Sequence, residues 1–258
     1  TMFRTRWMND VLYYIASFMV LREPTVWRWS HTRHHTDTII VGRDPEIAVP
    51  RPPDILGILL NIFAIRNVKA LAVKLFHHVR GRLLEEEKTY IPEMERPRVY
   101  VVARVYVAIY LAVLATCFAT GSILPAMLIG LPSMYGAFLG IYFGLTQHAG
   151  MAEDVLDHRL NTRTVYMNPV FRFLYLNMNY HVEHHMFPMI PYHALPKLHA
   201  AIKDDCPVPY PSTIAAYREI IPALLRQRRE PSWHVVRQLP PRAKPVPYNH
   251  ETILKPAE

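Results

Sequence analysis

The chain has 258 residues, 51% of them hydrophobic, and 29 Lys and Arg against 21 Asp and Glu, a net charge of +8 with histidine neutral. A mean hydropathy of only +0.03 beside that apolar content describes a few buried spans in a large, charged remainder. The basic balance comes without zinc-finger spacing, an RNA-binding signature or a concentrated basic helix, which excludes a nucleic-acid partner and suits a face attracted to anionic lipid. Cys117, in an apolar run, and Cys206, in a polar one, predict two free thiols and a reducing compartment.

Val11 to Leu21 is apolar but about 11 residues long, too short for the ~30 Å hydrocarbon core, and reads as an interfacial or buried helix stopped near Pro24. Trp27 to His35 resumes as a helix, with Trp27 and Trp29 as interfacial anchors. Thr36 to Pro53 is rich in breakers. Asp54 then caps a segment from Ile55 to Phe76, whose Arg66, Lys69 and Lys74 suit a helix lying in the interface. His77 and His78 end it and read as surface or headgroup-level residues. Between Arg104 and His148 run 43 residues without a charge, about twice the ~20 that one span needs. Two spans are predicted, about 100–119 and 123–147, turning at Gly121 and Pro125. Both outer flanks are basic, so the flanks are placed on the cytoplasmic side. From Met151 the chain is polar, with a solvated loop around Asp157 and Arg159. It divides into a main domain, 1–225, and a proline-rich tail, 226–258, partly extended or disordered at its end.

Two boxes carry chemistry: His31-Thr32-Arg33-His34-His35 and His181-Val182-Glu183-His184-His185. In a helix, positions i, i+3 and i+4 share a face, so each box can aim three imidazoles one way. Imidazole suits iron, copper, nickel and zinc, and six of them exceed the need of one tetrahedral zinc, which points to two metals. With 14 histidines in the chain, one such box arises by chance in roughly 0.04 of chains and two in about 0.001. A zinc hydrolase is a rival reading, weakened by the absence of His-Glu-x-x-His. A non-catalytic membrane protein would need no histidine faces.

Two His-x-x-His-His boxes flanking a membrane hairpin, the second written Asn-Tyr-His-Val-Glu-His-His-Met-Phe-Pro, resemble the membrane fatty acid desaturase/hydroxylase superfamily. The segment from Gly150 to Val165 is closest in flavour to its bacterial rhizopine and rhizobitoxine-type desaturases. The resemblance implies an all-α integral membrane helical bundle with a cytosolic His-rich cap and, here, about two of the usual four spans, in a bacterial inner membrane. It implies two iron ions, O2 as co-substrate, a fatty acyl or related lipid substrate and an external electron donor. That donor is a ferredoxin, Rieske-type in this branch, since the chain has no cytochrome b5 motif, cysteine cluster or dinucleotide fingerprint. Desaturation and hydroxylation begin alike and stay open as alternatives. His31, His34, His35, His181, His184 and His185 correspond to the family's second and third boxes, and His148 to an additional ligand between them. Asn177, four residues before His181, and His158 are further ligand candidates, and Glu183 and Asp154 are candidates for fixing imidazole tautomers. His193, His199, His234 and His250 have no partner spacing and are placed at the surface. The family's first box is absent, and the opening Thr1 to Arg6 reads as the continuation of that motif. The expectation is therefore a fragment whose upstream sequence holds two spans and the first box.

Overall fold

In a computed structural model, residues 3–244 and 246 are described, and they are helical apart from loops and two isolated β-bridges. The chain forms two compact units, 1–32 with 56–141, and 33–55 with 142–258.

The first unit opens with α1 (Arg6–Met19), which starts earlier than its apolar run predicts. Trp7, Val11, Ile15 and Met19, four residues apart, form an exposed apolar stripe, the pattern of a helix resting on lipid. The flanking face packs Tyr14 and Phe18 against a core of Leu71, Leu75, Val102, Ala103 and Tyr106. Phe18 meets Tyr106 edge-on at 4.9 Å. The helix α2 (Pro24–Thr36) follows, capped by Glu23, whose Oε2 accepts the Val26 N–H at 2.6 Å.

The segment expected as one interfacial helix is two, α3 (Ile55–Asn61) and α4 (Ile65–His78), bent by 82°. Ala64, at φ 53°, makes the corner in the left-handed region. His78 is fully buried, not at the surface, and Glu87 on α5 (Glu85–Lys88) accepts a hydrogen bond from its Nε2–H at 2.7 Å.

Next comes α6 (Arg96–Thr120), closed by Gly121 in the left-handed C-cap conformation. Together with the turn before it, Glu93–Thr120 is the one continuous helix among the described residues that is long and apolar enough to cross a membrane; the bent α3–α4 pair qualifies only if its two helices count as one broken span. The second predicted span, 123–147, is not one helix. It breaks into α7 (Leu124–Leu128), α8 (Pro132–Tyr135) and α9 (Ala137–His148). Gly130 at φ 101° and Pro132 interrupt the ladder there. Absence of charge identified the stretch, but these local breakers decide its backbone.

In the second unit, the end of α9 is held by aromatic packing: Phe143 stacks on Tyr175 at 4.5 Å and Tyr142 on Tyr217 at 5.2 Å. The helices are α10 (His158–Asn161), α11 (Pro169–Leu174), α12 (His181–Met186), α13 (Leu195–Ile202) and α14 (Thr213–Gln227). Ser212 caps α14 by accepting the Ala215 N–H at 3.1 Å. A core of Ile39, Met151, Ala223 and Val235 lies among them. The supposed solvated loop is buried: Asp157 and Arg159 are each 4% exposed and paired at 2.8 Å. From Arg226 the chain finishes α14 and packs Trp233 and Val235 on the core, and the last part of the proline-rich tail, with His250, lies outside the described residues. Cys117 and Cys206 are free.

Candidate metal centre

Three elements of the second unit bring imidazoles together: the end of α2 with His34 and His35, the end of α9 with His148, and α12 with His181, His184 and His185. Ring centroids separate His34 from His148 by 5.1 Å and from His185 by 4.9 Å, with His148 and His185 4.8 Å apart. His181 sits 4.6 Å from His185, and Nε2 of His181 lies 3.2 Å from Nε2 of both His148 and His185. The ligand atoms of His34, His148 and His185 all lie within 4.8 Å of one another.

A second pairing stands beside this group. His35 and His184 meet perpendicularly at 4.5 Å, and His35 also lies 4.4 Å from His185. His31 is one helical turn before His35 on α2, in the part belonging to the first unit, with its ring 6.5 Å from Trp27.

The outer nitrogens explain which way the lone pairs point. His34 Nδ1 donates to Asp44 Oδ2 at 2.8 Å, and His148 Nδ1 to the Asn161 carbonyl at 3.0 Å. Thr38 Oγ1 has one proton, which goes to the His34 carbonyl at 2.6 Å, so at 3.0 Å it accepts from His185 Nδ1. All three rings therefore turn an unprotonated Nε2 inward. Burial, reinforced by neighbouring rings, holds the imidazolium forms of His148, His181 and His185 well below the usual histidine range.

This donor set fits a metal ion. Lone pairs facing one another at 3.2 Å repel unless a proton or a cation lies between, and a single proton on His181 Nε2 could serve only one of its two neighbours. Two nitrogens each about 2.1 Å from a common ion, at an angle of about 100°, lie about 3.2 Å apart. An all-imidazole cage of neutral nitrogens suits iron or zinc and excludes calcium or magnesium.

The remaining candidates occupy other places. His158, half-buried, lies 5.3 Å from the His185 ring, and its Nδ1 is buried without a hydrogen-bond partner. Asn177 is not drawn into the convergence: at φ 55° it falls beyond α11, with Oδ1 accepting from Arg172 at 3.3 Å and Nδ2 donating to the Tyr192 carbonyl at 3.2 Å. Asp154 accepts the Val41 N–H at 2.9 Å. Glu183 is fully buried and orients a ring outside the boxes: it accepts from His199 Nδ1 and from Thr164 Oγ1. His199 is thereby buried, not at the surface.

Asp44, Thr38 and Asn161 are the orienting groups that sequence reasoning missed. Thr38 lies just past the end of α2, where its hydroxyl reaches back to the His34 carbonyl. Asp44 lies in a breaker-rich loop, and Asn161 acts through its backbone, which no side-chain pattern reports. Besides His34, Asp44 holds the Ile39 N–H at 2.8 Å, so the loop and the ring are fixed together. Changing Asp44 to Asn should weaken metal binding about 10–100-fold, as loss of an orienting carboxylate does elsewhere. Metal retained after graded chelation measures this, and undiminished retention would exclude the role.

In a comparison with known families, the family model described as fatty acid desaturase aligns with residues 1–217. No curated protein and no solved structure gives a significant match.

Proposed function

Since the chain belongs to the fatty acid desaturase family, we propose that it is an O2-dependent di-iron desaturase that introduces a double bond into a fatty acyl or related lipid chain. The inward-facing Nε2 atoms of His34, His148 and His185, each locked by a partner on Nδ1, carry this reading. His34, His148, His181 and His185 would hold one iron. His35 and His184 would hold the other. When bound, iron supplies the oxidising power to remove hydrogen from an unactivated C–H bond, which no side chain has.

The chain's own residues do the positioning. Asp44, Asn161 and Thr38 keep the rings in one tautomer, and burial keeps His148, His181 and His185 uncharged so that their nitrogens remain available. The overall balance consumes O2, two electrons and two protons, removes two hydrogens from adjacent carbons and releases two waters. The electrons come from outside. A basic surface suits an acidic ferredoxin by charge complementarity. In a bacterial inner membrane, the boxes would lie on the cytoplasmic side.

The test is expression with a ferredoxin and its reductase under 18O2, with mass spectrometry of extracted lipids. A product two mass units lighter, without incorporated label, supports desaturation; a product carrying one labelled oxygen assigns hydroxylation instead. Zinc in place of iron, with turnover that ignores O2, overturns the reading.

A further inference from the structure

The positive charge is concentrated in one stretch. Residues 226–244 hold six cations, Arg226, Arg228, Arg229, Arg237, Arg242 and Lys244, against the single carboxylate of Glu230. Six less one leaves +5 in this strap, out of +8 for the whole chain.

The strap lies in the second unit, bonded to the segment that follows His148. The Val235 N–H donates to the Gly150 carbonyl at 2.9 Å, and the Met151 N–H to the His148 carbonyl at 3.0 Å. Trp233 and Val235 pack in the same core as Met151. Further along, the Lys244 carbonyl accepts from Arg159 Nη2 at 2.6 Å, and the Val246 N–H donates to Asp157 Oδ2 at 3.2 Å. Both bonds fall on the immediate neighbours of His158.

Two of the six cations are committed within the fold. Arg226 pairs with Glu230 at 3.0 Å, and Arg237 donates to the Tyr210 hydroxyl and the Val208 carbonyl. Arg228, Arg229, Arg242 and Lys244 are exposed, and their side chains have no ion-pair partner among the described residues. Arginine forks match carboxylates in two parallel bonds, so the strap suits an acidic partner. A segment resting on a bilayer sets apolar side chains beside its charges. Here Trp233 and Val235 face the core, and of the large apolar side chains in 226–244 Val236 alone is exposed. The strap offers charge without an apolar wedge, which favours a protein surface over a lipid one.

We propose that the strap 226–244 is the docking surface for an acidic one-electron carrier protein, with Arg228, Arg229, Arg242 and Lys244 as its cationic contacts. This rests on the O2-dependent reading, in which each turnover draws two electrons from outside. Each encounter oxidises the carrier by one electron, so two encounters complete the supply. The bonded path from Val235 through Gly150 leads from the docking surface to the segment that bears His148.

Binding of an acidic plant-type [2Fe–2S] ferredoxin to the full chain in phosphatidylcholine nanodiscs tests this without requiring turnover. The wild type should bind, and more weakly as salt rises. A variant carrying Arg228→Glu, Arg229→Glu, Arg242→Glu and Lys244→Glu should bind at least about tenfold more weakly, because like charges then face one another. Arg228→Gln with Arg229→Gln removes charge only, should show a smaller loss, and decides if the reversal variant does not fold. Lys69→Glu with Arg82→Glu, at exposed cations of the first unit, should leave binding unchanged. In the reversal variant, turnover driven by ferredoxin should fall while turnover driven by dithionite and methyl viologen persists. A wild type that turns over with neither donor defeats the desaturase reading, and the binding measurement still decides the docking surface. No binding by the wild type, equal binding by the folded strap variants, or a loss confined to adsorption on phosphatidylglycerol vesicles overturns the proposal.

Discussion

Replacing His185 by alanine is expected to strip the protein of iron and to lower turnover by at least about 100-fold, since loss of an outer partner alone costs metal sites about 10–100-fold in affinity. Its ring is the common neighbour of His34, His35, His148, His181 and His158, all within 5.3 Å between centroids. Deleting it removes one inward Nε2 and also the N–H that Thr38 Oγ1 accepts, while the Thr38 bond to the His34 carbonyl stays. Iron content by elemental analysis measures the effect without any knowledge of the substrate. His193→Ala, outside the cluster, should leave iron unchanged. If His185→Ala retains the wild-type iron content, the assignment of this cluster as the metal centre fails.

The boxes were legible because their signal is chemical and local: three imidazoles at i, i+3 and i+4 announce a shared face whether the helix is long or, like α12, six residues. His148 was reachable only through family resemblance. Nothing in its immediate sequence says that the aromatic stack of Phe143 on Tyr175 delivers it to the other rings. The polar reading of Asp157, Arg159, His199 and His78 failed for one physical reason. Charged residues are read as solvated by default, yet each of these is paired with another buried group, and pairing is a property of the fold. The second predicted span failed differently. Hydropathy reports whether a stretch avoids water, not whether its backbone stays helical, and Gly130 with Pro132 settles the second question.

The second large effect is expected at Glu183, through stability. The carboxylate lies inside the second box but faces away from the imidazole convergence, receiving protons from His199 on α13 and from Thr164, the residue bridged to Tyr180. His199 in turn accepts from the Tyr166 hydroxyl at 2.9 Å. At six residues α12 is far below the length at which a helix sustains itself, so these tethers fix the direction in which the box points. Glu183→Ala leaves His199 and Thr164 buried without their acceptor. Leaving a buried donor unsatisfied costs about 1–3 kcal/mol, so losing the acceptor of two costs about 2–6 kcal/mol, which for a protein of this size corresponds to a fall of about 4–24 °C in Tm. Glu183→Gln keeps one acceptor oxygen and should fall between the alanine variant and wild type. Thermal unfolding of the metal-free protein separates this role from ligation. A tether lowers Tm without metal present, whereas a direct ligand would leave the metal-free Tm unchanged and reduce only the extra stability that iron confers.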